Sequence, residues 1–174
     1  MQSQSMAEPG FSFRRLVGVL AFAGFGISLL VHLSTFFGIH LQDTIPAVWL
    51  LHLGIFIVFI PMVFATQKLQ HRKDFWRSFF STMPKWTGIL AKGLFVYAFL
   101  NFALFFVLSK GGVPERRDEK YVLHAHGQII KELTREEYDW QQAYVLRGFS
   151  GHWMVFYLIP ALYFFYSEKR ASVR

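Results

Sequence analysis

Seven histidines are the residues of this chain best equipped for chemistry, and three of them, His32, His52 and His152, fall inside apolar stretches. His32 precedes the end of an apolar run at Phe37 by five residues, about 8 Å of helix. His52 follows the start of the next run at Pro46 by six residues, about 9 Å. Two runs joined by a short connection are antiparallel neighbours, so both imidazoles reach one layer. His152 opens the last apolar run slightly nearer its end, and His40 lies in the first connection. Four of the seven histidines therefore gather at one end of the molecule.

A neutral imidazole ligates metals and haem iron. His32 and His52, aided by His152, are thus candidate ligands for a b-type haem or a metal, and abundant Phe with the glycines of the first run would suit a flat macrocycle. Bis-histidine haem bundles commonly use two deep pairs, whereas this sequence offers one. The expected role is interhelical hydrogen bonding, to Ser34, Thr35 or Ser150. Haem b is the alternative, and a quinone or proton role the third.

Other polar residues sit at or within apolar runs. Arg147, Ser150, His152 and Trp153 form a dense group, of which Arg147, Ser150 and His152 could hold an anion or a quinone headgroup. An interface anchor, with Trp153 in an aromatic belt and Arg147 at headgroup level, is the preferred reading. Asn101 lies mid-run with Tyr97 one turn earlier, where an amide usually bonds across helices. His124 and His126 could face one side of a strand and bind a metal weakly, but no third ligand has a fixed position beside them. There is no H-E-x-x-H, P-loop or G-x-S-x-G motif, and with no cysteine there is no thiolate site or nucleophile. No dedicated metal site is read.

The elements that must hold these residues follow from composition. The chain of 174 residues is 53% hydrophobic and 17% charged, against about 25% charged in an ordinary soluble domain. A bilayer span takes roughly 20 apolar residues, and four runs qualify: about 16–37, 46–66, 87–108 and 149–166. The first outlasts the apolar core of a signal peptide and lacks a small-x-small cleavage site. Gly18, Gly24 and Gly26 in it read as helix-packing positions. Lys92 in the third can snorkel to the surface. Pro61 and Pro160 are candidate kinks, but no inverted repeat of a carrier is visible.

Charge placement orients the runs. Arg14 and Arg15 precede the first. Lys68, Arg72, Lys73, Arg77 and Lys85 stand against Asp74 in the second connection, for a net +4, and the tail is basic. The connection from Lys110 to Arg147 carries seven basic and seven acidic residues. The net charge of +7 is therefore a topological label with both termini inside, and it gives no argument for nucleic acid.

Residues 69–83 fit an interfacial helix, with Leu69, Phe75, Trp76, Phe79, Phe80 and Met83 on its apolar side. In the outer connection, Lys120–Ala125 and Gln128–Leu133 are β-prone about a His126-Gly127 turn. Thr134 and Glu137 have capping-box spacing, so a helix should start at Arg135. Gly148 and Gly151 are expected to bend or loosen its junction with the last run.

The sequence thus reads as an all-α integral membrane protein, a four-helix transmembrane bundle with a small extracytoplasmic β-hairpin plus helix (about 113–148) between spans three and four. A bacterial cytoplasmic membrane, N-in and C-in, fits the charge pattern. The expected function is a non-enzymatic accessory component that contacts the bilayer and a partner protein or a second copy of itself. A haem b redox protein is the alternative. A small carrier or channel, resting on Asn101, Tyr97 and the two prolines, is the third.

Overall fold

The computed structural model describes residues 13–67, 79 and 83–171, with side chains to residue 166 in the last helix. Helix α1 spans Phe13–Ser34 and is extended by a 3-10 turn, Thr35–Phe37. A second 3-10 turn, Pro46–Trp49, leads into α2, Leu50–Gln67. Helix α3 covers Lys85–Leu108. Strands β1 (Val113–Arg117), β2 (Lys120–Ala125) and β3 (Gln128–Leu133) precede α4, Arg135–Ala171. The fold is mostly helical, at 74%. Three segments are long and apolar enough to cross a membrane: Phe13–Phe37, Pro46–Gln67 and Lys85–Leu108. Most of the interfacial helix expected over 69–83 lies outside the described residues. Phe79 and Met83 are described and buried.

Helix α4 is the axis of the molecule. It packs along α1 and also touches α3, α2 and the sheet. The pattern that puts α1 against it is readable residue by residue. Val17, Ala21, Gly24, Ser28, Val31 and Thr35 recur at three- and four-residue intervals and are all buried, as one stripe of a 3.6-residue helix must be. A Cβ on Gly24 would collide with the Tyr157 ring, and one on Gly54 of α2 would meet the Tyr157 hydroxyl. Two glycines on two helices thus make room for one tyrosine, whose O–H donates to the Leu51 carbonyl at 2.8 Å. Gly18 does the same for Phe164, but among the described residues no atom lies within 4 Å of where a Cβ on Gly26 would stand.

The outer faces of α1, α2 and α3 present large apolar side chains, including Leu30, Ile57, Ile89 and Val107. By contrast, between residues 149 and 166 of α4 only Phe156 and Phe165 are exposed. The least apolar of the four runs is the one wrapped by the others.

Two expectations are corrected. Gly148 and Gly151 do not loosen the junction into a break, because α4 is one uninterrupted helix of 37 residues. Its glycines are a landing for α3: a Cβ on Gly148 would lie 2.9 Å from Phe105 Cγ, and one on Gly151 2.7 Å from Asn101 Nδ2. The β element between α3 and α4 is a three-stranded antiparallel sheet, ordered β1-β2-β3, rather than a two-stranded hairpin. Strand β1 pairs with β2 across Asp118 and Glu119, both at positive φ. The β2–β3 turn falls at His126 and Gly127, also both at positive φ. The capping box at the start of α4 is made in both directions. Glu137 N–H donates to Thr134 Oγ1 at 3.2 Å, and Thr134 N–H donates to Glu137 Oε2 at 2.9 Å.

Candidate functional site

Two polar centres lie near the sheet end of the helices, on opposite flanks of α4. The first is a closed seam of α1, α3 and α4. His32 is buried, with Nδ1 2.8 Å from Ser150 Oγ and Nε2 2.6 Å from Tyr97 Oη. The Ser150 hydroxyl also donates to the Arg147 carbonyl at 3.3 Å, so Ser150 Oγ accepts from His32 Nδ1–H. That tautomer leaves Nε2 to accept the Tyr97 proton. A directed chain results: Tyr97 O–H to His32, His32 N–H to Ser150, Ser150 O–H to the backbone. Asn101 Nδ2 closes the seam by donating to the same Arg147 carbonyl at 2.8 Å. Every ring nitrogen of His32 is engaged, so ligation of a haem iron by His32 requires breaking one of these bonds.

The second centre is an open cleft, with α2 on one side, α3 on the other and α4 as its floor. His52 of α2 and His152 of α4 line it with Phe56, Phe59, Phe102 and Phe156. Its volume is about 440 Å³, within the size range of small-molecule sites. Trp153 Nε1–H, a donor only, bonds His52 Nδ1 at 3.0 Å. His152 Nδ1 lies 2.9 Å from the Gly148 carbonyl, an acceptor only. For a neutral imidazole these partners fix the tautomer. His52 carries its proton on Nε2, and His152 leaves Nε2 as a bare acceptor. The edge-on ring of Phe102, 4.6 Å from the His152 centroid, holds that imidazole from the α3 side.

The three histidines read as one layer therefore divide. His32 belongs to the seam, while His52 and His152 share the cleft. The Arg147, Ser150, Trp153 group divides as well. Ser150 faces His32, Trp153 faces His52, and the Arg147 guanidinium lies 5.0 Å from the ring centres of both Phe36 and Tyr144. Asn101 and Tyr97 join one network, as interhelical bonding predicts. Tyr157 with its two glycines escaped the sequence reading. The small residues at 24 and 54 were its only signal, and they do not say which bulky side chain they admit.

At the sheet end, the 38–45 connection is tied to the first turns of α4. His40 Nε2 is 3.0 Å from Asp139, Tyr138 O–H donates to Asp43 at 3.3 Å, and Gln42 donates to Gln142 at 2.9 Å. Burial pushes the Tyr138 hydroxyl above its ordinary pKa. His124 and His126 gain no third ligand: among the described residues no group of three or more His, Asp or Glu could hold a metal ion. In comparisons with known proteins, no family model, curated protein or solved structure matches this chain.

Proposed function

We propose that this chain is a four-span protein of a bacterial cytoplasmic membrane, N-in and C-in, acting as a non-enzymatic accessory component that docks a partner protein through its outer sheet. Three apolar segments and the exposed apolar flanks of α1 to α3 support the membrane assignment, because soluble monomers rarely expose contiguous apolar surface on that scale. The fourth span is the C-terminal half of α4. Its lower apolarity suits a helix surrounded by other helices instead of lipid. Basic residues in the 68–85 connection and a balanced outer connection support the orientation.

The observation that carries the docking role is β3. It is an edge strand, and its adjacent Ile129 and Ile130 are 54% and 52% exposed. The ladder slips here, pairing Leu123 with Lys131 and His124 with Ile129, so Ile130 is the extra residue of a bulge and the two isoleucines make one exposed apolar point on the edge. The bulge shortens the regular stretch of edge, and an extended partner segment would add to what remains through main-chain hydrogen bonds, with the two isoleucines as its apolar contact. Helix α4 links that edge to the bundle without a break. A haem held between His32 and His52 has less support, since both nitrogens of His32 are already hydrogen-bonded.

Two measurements test the parts separately. A periplasmic reporter fused after Lys120 should be active and one after Arg72 inactive; the reverse result overturns the orientation. Native electrophoresis of gently solubilised membranes should give a discrete species containing a second protein at fixed stoichiometry. Ile130→Lys should reduce its recovery about tenfold. A wild-type chain migrating only as monomer or homo-oligomer would sink the docking role.

A further inference from the structure

The cleft between α2 and α3 differs from an ordinary gap between helices in what its two histidines offer. Its walls are aromatic and apolar, yet His52 presents an Nε2–H and His152 a bare Nε2. Neither Nε2 has a hydrogen-bond partner among the described residues. Both tautomers are held by partners that cannot reverse roles: an indole N–H only donates, and a carbonyl only accepts. An occupant that satisfies both must be apolar and planar enough for the phenylalanine walls, and must bring one acceptor and one donor.

We propose that this cleft binds a membrane-dissolved hydroquinone, with one ring oxygen accepting from His52 Nε2–H and one ring hydroxyl donating to His152 Nε2. A lipid acyl chain fits the walls but answers neither histidine. The corresponding quinone has acceptors only. It satisfies His52 and leaves His152 unpaired, and His152 cannot switch tautomer without losing its bond to the Gly148 carbonyl. The site should therefore prefer the reduced form. The proposal rests on the membrane-spanning half of the function above, because the cleft must open to lipid, and it does not require the docking partner.

The test uses the full chain in phosphatidylcholine nanodiscs under anaerobic conditions. The probes are a decyl-substituted benzohydroquinone, the matching benzoquinone and decylbenzene. The hydroquinone should bind saturably and about tenfold more tightly than the quinone, the scale set by leaving one buried acceptor unmet. Decylbenzene should not displace it. His152→Phe should erase the preference by weakening the hydroquinone alone, and His52→Phe should weaken both forms by a similar factor. Non-saturable partitioning, equal affinity for both redox forms, or displacement by decylbenzene overturns the proposal. The wild-type comparison decides even if a variant fails to fold. Because the reporter fusions read topology independently, a failed ligand test is distinguishable from a failed membrane assignment.

Discussion

The seam around His32 and the cleft around His52 and His152 are built from the same residue type at similar depth, yet they do opposite things with it. In the seam both nitrogens of the imidazole are used, its partners come from two other helices, and glycine at 151 lets Asn101 close in. In the cleft each imidazole spends one nitrogen on a neighbour that sets its tautomer and leaves the other without a hydrogen-bond partner among the described residues. Saturation marks a histidine that fastens helices. A half-satisfied, tautomer-locked pair marks a place prepared for something else. Intramembrane ionisable residues are functional candidates by default, and the hydrogen-bond inventory separates the fasteners from the candidates.

Stability measurements can break this comparison most directly. His32→Leu removes two interhelical bonds and leaves Ser150 and Tyr97 with unmet groups. It should cost about 3 kcal/mol, a fall of roughly 10 °C in thermal midpoint in detergent. His52→Leu strips the partner from the Trp153 indole, which is fully buried, and should cost about 1 kcal/mol. His152→Leu loses only an extra bond to a helix carbonyl, with an expected cost of about 0.5 kcal/mol. A ranking in which His152 outweighs His32 would mean that the cleft is the structural centre and the seam is not.

Glycine substitutions sharpen the same contrast at two positions on one helix. Gly24 receives the Tyr157 ring, so Gly24→Ala forces that ring or the α1–α4 separation to move. A loss of about 2 kcal/mol is expected from overpacking. Gly26 has open space where its Cβ would go, so Gly26→Ala should change the thermal midpoint by the equivalent of roughly 0.5 kcal/mol or less. Equal losses at both positions would show that helix association does not depend on close approach along the 17–35 stripe.

What the sequence disclosed tracks how local each signal is. Thr134 with Glu137 and His126 with Gly127 act within four residues, and both features form as their spacing implies. Three apolar runs appear as helices close to their expected limits. Strand β1 stayed hidden because Val113–Arg117 contains a proline and three charges, and its turn uses Asp118 and Glu119 without the glycine that usually announces positive φ. Pro114 is tolerated there because β1 is an edge strand. The glycines at 148 and 151 carry an ambiguous signal for a different reason. A glycine's freedom suggests a bend, but its small size suggests a landing, and only the neighbouring helix decides between them. Depth along the runs correctly gathered His32, His52 and His152 near one end. It could not divide them between two flanks of α4, because rotation about a helix axis is set by packing partners distant in sequence.

The most local expected effect, confined to one helical turn, tests whether α4 transmits disturbance from the sheet end to the two centres. Its first turn is fastened by Glu137, whose carboxyl is held below its ordinary pKa by the hydrogen bond from Lys131 and by the backbone N–H of Thr134. A depressed carboxylate contributes stability in full above the unfolded value, about 4.3, and loses it as pH falls through the folded value. Acidification below that range should therefore lower the amide protection factors of residues 135–139, taken relative to the intrinsic exchange rate at each pH, and Thr134→Ala, worth about 1 kcal/mol, should do so already at neutral pH. Residues 148–152 should keep their protection in both cases, because the His32–Ser150 and Asn101–Arg147 bonds hold them from the side. If protection at 148–152 falls together with the first turn, α4 opens as one unit. The sheet edge and the cleft would then be coupled through a single helix, and a partner docked on β3 would alter occupancy beside His152.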